Sequence, residues 1–81
     1  MGSKVQDSKQ FNLGQDEELR IEVDCGKDEK VFVELKTGMA EIFGTEMVAH
    51  TKYTFSHGAK FSVFTYQGCT IQVTLIVFSR D

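Results

Sequence analysis

Apolar and polar residues alternate along most of this chain, with the period of two that puts every second side chain on one face of a strand. Leu19, Ile21 and Val23 share one face, and Arg20, Glu22 and Asp24 the other. Val31, Val33 and Leu35 alternate with Phe32, Glu34 and Lys36, and Tyr53 and Phe55 alternate with Lys52 and Thr54. Further on, Phe61, Val63 and Thr65 alternate with Ser62, Phe64 and Tyr66, and Cys69, Ile71 and Val73 with Thr70, Gln72 and Thr74. Runs rich in Gly, Asp, Ser and Lys separate these segments, and such residues favour turns. Thr37-Gly38 reads as one turn, Met39–Phe43 as a short strand, and residues 44–51 as a loop or bend. No segment holds a period of 3.6. Six or seven short strands at intervals of about 8–12 residues predict an all-β fold, a small antiparallel β-sandwich or barrel, of which the sandwich is adopted here.

The two ends depart from this pattern. Residues 1–10 are polar and read as a disordered tail, which leaves 11–74 as the domain. After Thr74 the alternation stops, and Leu75-Ile76-Val77-Phe78 is apolar on both faces. A strand buried on both sides would read this way. The pattern leaves open whether the last strands of the sandwich are present, and residues 75–81 are treated as a divergent ending.

Size and charge narrow the function. With 81 residues there is room for one domain, burying about 60–65% of its unfolded surface. The net charge is −3, with both signs spread along the chain. Direct nucleic-acid binding would need a basic stripe, so none is expected, and a four-residue apolar run is far short of the roughly 20 residues of a membrane helix. The N-terminus has no apolar core of a signal peptide, so Cys25 and Cys69 are read as free, buried thiols of an intracellular protein.

Candidate chemistry is sparse. There is no Walker-type glycine loop, dinucleotide fingerprint, nucleophile elbow or Cys-x-x-Cys pair. His50, His57, Cys25 and Cys69 lack the close pairing of zinc ligands, so no metal site is expected. Glu41 and Glu46 could form an acid/base pair, but Glu41 alternates with Ala40 and Ile42 as a solvent-facing strand residue does. Phe61, Phe64 and Tyr66 have the look of an aromatic platform for bases, yet they divide between two strand faces. No catalytic residue is assigned.

Several blocks nevertheless have a specific character: "ELRIEV", "LKTGMAEIFGTEM", "KYTF" and "GAKFSVFTYQGCTIQV". Together they resemble the N-terminal domain of the Clp-type polyribonucleotide 5′-hydroxyl kinases, from about Phe11 to Thr74. The most specific element is G-x-x-E-I-F-G-T-E, formed by Gly38, Glu41, Ile42, Phe43, Gly44, Thr45 and Glu46. The resemblance implies a β-sandwich that leans on a P-loop kinase domain and walls the adenine end of ATP. By that likeness Lys60, in "GAKF", approaches the adenine, and Glu18, just before "LRIEV", is its acidic counterpart. Magnesium and the triphosphate belong to the parent enzyme's P-loop domain, whose motifs lie beyond this segment.

The resemblance further implies a nuclear role in pre-mRNA 3′-end cleavage and tRNA splicing. Cleavage and polyadenylation factor subunits and the tRNA splicing endonuclease would be the partners. Where the family continues with a Gly-rich, Thr-Glu-containing segment, this chain has LIVFSRD, which reads as a truncated or alternative ending. The chain alone is expected to be inactive as a kinase. A second reading is a stand-alone β-sandwich module that binds a protein through an open edge.

Overall fold

The computed structural model describes residues 2–80, and the side chains of residues 7–76. Its eight strands are β1 (Gly2–Leu13), β2 (Glu17–Glu22), β3 (Glu29–Gly38), β4 (Glu41–Ile42), β5 (Thr45–Glu46), β6 (Lys52–Phe55), β7 (Lys60–Thr65) and β8 (Cys69–Arg80). They form two four-stranded sheets, ordered β1-β8-β3-β6 and β2-β7-β4-β5. Every pairing is antiparallel. The all-β sandwich read from the alternation is therefore the fold.

The alternation places the core. Val31, Val33, Leu35, Cys69 and Ile71 bury one face of the first sheet. Ile42, Phe61, Val63 and Thr65 bury the facing side of the second. Val23, Ala40 and Met47, in the connections, complete the same buried cluster. Polar partners on the same strands (Arg20, Glu22, Lys52) stay exposed.

Both ends of the chain correct the sequence reading. The segment expected as a disordered tail is most of β1, which pairs with β8 from Gly2↔Arg80 to Leu13↔Cys69. Strand pairing is made by backbone groups and needs no apolar side chain, so a polar edge strand has no hydrophobic signature. β8 is consequently an interior strand, flanked by β1 and β3. That accounts for its loss of alternation. Leu75 packs against the core, while Thr74 and Ile76, on the opposite face, are also buried. The Ser8 and Thr74 hydroxyls are 2.9 Å apart. A twelve-residue ribbon spans about 40 Å at roughly 3.3 Å per residue, which matches the long axis of the molecule, 45 × 21 × 17 Å overall.

A second correction concerns residues 39–51. The strand expected at Met39–Phe43 is only Glu41–Ile42, and the expected loop contains a return strand, Thr45–Glu46. Phe43 and Gly44 between them have φ of +53° and +72°. Two left-handed residues make the tight hairpin loop whose twist suits flanking strands. Phe43 lacks glycine's freedom, but its ring lies 5.9 Å from that of Phe61 and 6.2 Å from that of Phe55.

Candidate functional site

The outer face of the second sheet gathers every charged candidate of interest. Register decides this. Glu18 pairs with Phe64, Phe64 with Glu41, and Glu41 with Glu46. Directly paired residues point to the same side of a sheet, so one row across four strands reads Glu18, Phe64, Glu41, Glu46. The neighbouring pairs are Arg20↔Ser62 and Glu22↔Lys60. The sequence offered Glu41 and Glu46 as an acid/base pair and set it aside because Glu41 reads as a solvent-facing strand residue; the hairpin does set the two opposite one another.

Glu18 and Lys60 lie on this same face, four residues apart along the β2–β7 ladder, about 13 Å at the usual strand rise. They do not touch. The Arg20 guanidinium donates to Glu18 at 3.1 Å, and Lys60 stands 3.9 Å from Glu22. Both pairs are solvated, the Lys60 and Glu22 side chains each being 74% exposed, so both are readily exchanged for a ligand. Arg20, Ile21, Glu22, Lys60, Phe61 and Ser62 line an open depression of about 420 Å³. Among the described residues no three His, Cys, Asp or Glu side chains converge on a metal position.

Farther along the same face a smaller pocket of about 90 Å³ is lined by Met39, Ala40, Glu41, Glu46, Phe64, Tyr66 and Gln67. The rings of Phe64 and Tyr66 meet edge-on, with centroids 4.6 Å apart. Phe61, the third member of the supposed platform, points inward and stacks on Phe55 at 4.0 Å. The pocket walls are held from beneath by Thr65, which is fully buried. Its hydroxyl donates to the Met39 carbonyl at 2.6 Å and accepts from the Gly68 amide at 2.8 Å. One side chain thus ties together the two segments that form the pocket rim. The periodicity showed Thr65 facing inward, but nothing in it pointed to these two bonds.

The remaining candidates are scattered. His50 lies 4.0 Å from Glu34, and His57 lies 3.7 Å from Asp24, on different parts of the surface. Both cysteines are free; Cys69 is buried and Cys25 half-buried. Burial raises the Cys69 thiol above its ordinary pKa of 9.0, and its hydrogen bond with Thr65 partly opposes this.

Comparison with known proteins identifies the family. A family described as the N-terminal beta-sandwich domain of polyadenylation factor matches residues 12–79. The chain belongs to this family. It is 51% identical over 74 residues to the protein CLP1 homolog of Drosophila mojavensis, covering 91% of this chain and 17% of that protein. It is 46% identical over 78 residues to the human polyribonucleotide 5′-hydroxyl-kinase Clp1, covering 91% of this chain and 18% of the relative. The chain therefore spans less than a fifth of the length of these curated relatives. A solved wild-type Clp1p–Pcf11p complex contains a similar fold, with a TM-score of 0.72, at 20% identity over 93% of this chain and 18% of that one. A second Clp1p–Pcf11p structure gives a TM-score of 0.69 at 23% identity, over 85% of this chain and 16% of that one. At such identity the likeness establishes the fold.

Proposed function

We propose that this Clp1-family domain forms the adenine-side wall of the ATP site of a polyribonucleotide 5′-hydroxyl kinase. The observation that carries the reading is the placement of Lys60 and Glu18, the two residues singled out by resemblance, on one exposed face of the β2–β7 pair. An adenine edge presents a donor and acceptors. An ammonium group and a carboxylate can read it from two sides, each charge-assisted hydrogen bond contributing about 1.5–3 kcal/mol. Phe64, half-buried in the same row as Glu18, offers an apolar surface beside the base.

The phosphates and magnesium would be held elsewhere in the parent protein, since phosphoryl transfer depends on positioned phosphates and metal. Within the parent the domain would pack against the P-loop kinase domain. Cleavage-factor subunits and the tRNA splicing endonuclease would be the wider partners, in the nucleus. The solved neighbours being Clp1p complexes with Pcf11p supports the cleavage-factor part of this.

A chimera tests the assignment: residues 12–79 of this chain replace the matching segment of the human relative, and ATP affinity is measured. Lys60→Ala and Glu18→Ala should each weaken ATP binding about tenfold or more, following the energies above. Unchanged affinity in both variants would overturn the assignment.

A further inference from the structure

We infer that the pocket between the 41–46 hairpin and the end of β7 is a docking site for an arginine side chain presented by a partner polypeptide. The pocket is separate from the Lys60 end of the face and goes beyond the adenine reading. Its walls are apolar and aromatic: Met39 and Tyr66 are large, exposed side chains, and the Tyr66 ring meets that of half-buried Phe64 edge-on. Its rim is acidic. Glu41 and Glu46 are direct cross-strand neighbours, with Cβ atoms about 5 Å apart in such pairs. Like charges so placed repel. Among the described residues neither carboxylate has a cationic partner within ion-pair distance.

Charge complementarity therefore specifies a cation, and the aromatic wall favours a flat, weakly hydrated one. Guanidinium satisfies both demands: it stacks on aromatic faces and forks onto carboxylates, where ammonium acts as a hydrated point charge. The volume of about 90 Å³ exceeds the roughly 10–15 Å³ that a single water requires. A phosphate-bearing ligand is disfavoured by the same carboxylates, to which Glu18 adds a third on the far side of Phe64. The rim is also pre-organised, because Thr65 anchors Met39 and Gly68 and the Met47 amide donates to the Ala40 carbonyl at 2.9 Å.

The experiment is a titration of the isotopically labelled 81-residue chain with the capped peptide Ac-Gly-Arg-Gly-NH2, followed by NMR. Saturable shifts are expected at Met39, Glu41, Glu46, Tyr66 and Gln67. The citrulline peptide, isosteric and neutral, should bind at least about tenfold more weakly, and the lysine peptide should fall between them. The Glu41→Gln/Glu46→Gln double variant should lose the arginine preference. Equal binding of the arginine and citrulline peptides by the unaltered chain would overturn the proposal, whether or not the double variant folds. So would adenosine saturating the same resonances more tightly than arginine, which would make the pocket a base platform. Equal arginine and citrulline binding leaves the Lys60 and Glu18 assignment untouched, since that is read separately from ATP affinity in the chimera, whereas adenosine binding here would count against Lys60 as the group beside the base.

Discussion

Gly38 and Gly44 look alike in the sequence, each punctuating one end of the "MAEIF" run, and the structure separates them. Both have positive φ, +81° and +72°. At Gly44 an added Cβ would meet nothing within 4 Å, whereas at Gly38 it would lie 2.3 Å from the Gly68 carbonyl and 2.8 Å from the Cys69 Cα. Gly44→Ala should therefore cost only the backbone strain of a left-handed alanine, about 1 kcal/mol. Gly38→Ala must also push β3 off β8 and should cost about 3 kcal/mol or more, a large share of the stability of so small a domain. Urea denaturation of the two variants checks the difference; equal losses would contradict it. Cys69 offers a second test. Because burial raises its pKa, the folded chain keeps a proton that the unfolded chain gives up above the ordinary value of 9.0. The stabilisation is complete below that pH and is lost as pH rises through the folded-state pKa. Stability should fall on the alkaline side, less so in Cys69→Ala measured against its own neutral-pH value. A disulfide reagent at about pH 8 should label half-buried Cys25 first and Cys69 only upon opening.

Among the elements, strands with one apolar face were the most legible, whether at an edge (β2, β6) or inside (β3, β7), and the polar edge strand β1 and the end of β8, apolar on both faces, were the least. Val31, Val33 and Leu35 announce β3 by alternation, and burying one face of a sheet requires that alternation. Ser8, Lys9 and Gln10 announce nothing, because the contribution of β1 is backbone pairing along β8. Removing residues 1–10 discriminates between a tail and a strand. A tail could be lost without effect. Here the truncation should lower the melting temperature by several degrees and promote association, since β8 would become a long, apolar open edge. Thermal unfolding with light scattering measures both, and an unchanged melting temperature would restore the tail. The 41–46 hairpin was half legible. Gly44 signalled a turn, but a two-residue loop with Phe43 at its first position lacks the usual Asn-Gly or Asp-Gly signal. The return strand at Thr45–Glu46 was consequently read as loop.

At the scale of the whole molecule, the domain presents a charged and aromatic face but no phosphate-cradling loop in its sequence. Incubated with ATP, magnesium and 5′-hydroxyl RNA, the purified chain should form no 5′-phosphate above background; measurable turnover would contradict the division of labour proposed here. Lys60 and Glu18 were proposed from residue identities in short family-specific blocks, and that they share one face of the β2–β7 pair was not legible there. The sequence by itself determined what is local: which side chains share a strand face, where glycine permits the chain to turn, and the block from Gly38 to Glu46 that carries family character. Only the tertiary structure decided which strands are neighbours and in what register. It placed Glu41 opposite Glu46 and beside Phe64, made β8 interior, and brought Thr65 under Met39 and Gly68. The reason is physical: alternation is a property of one strand, but pairing joins residues as distant as Ser8 and Thr74, and their meeting depends on the burial of the entire core.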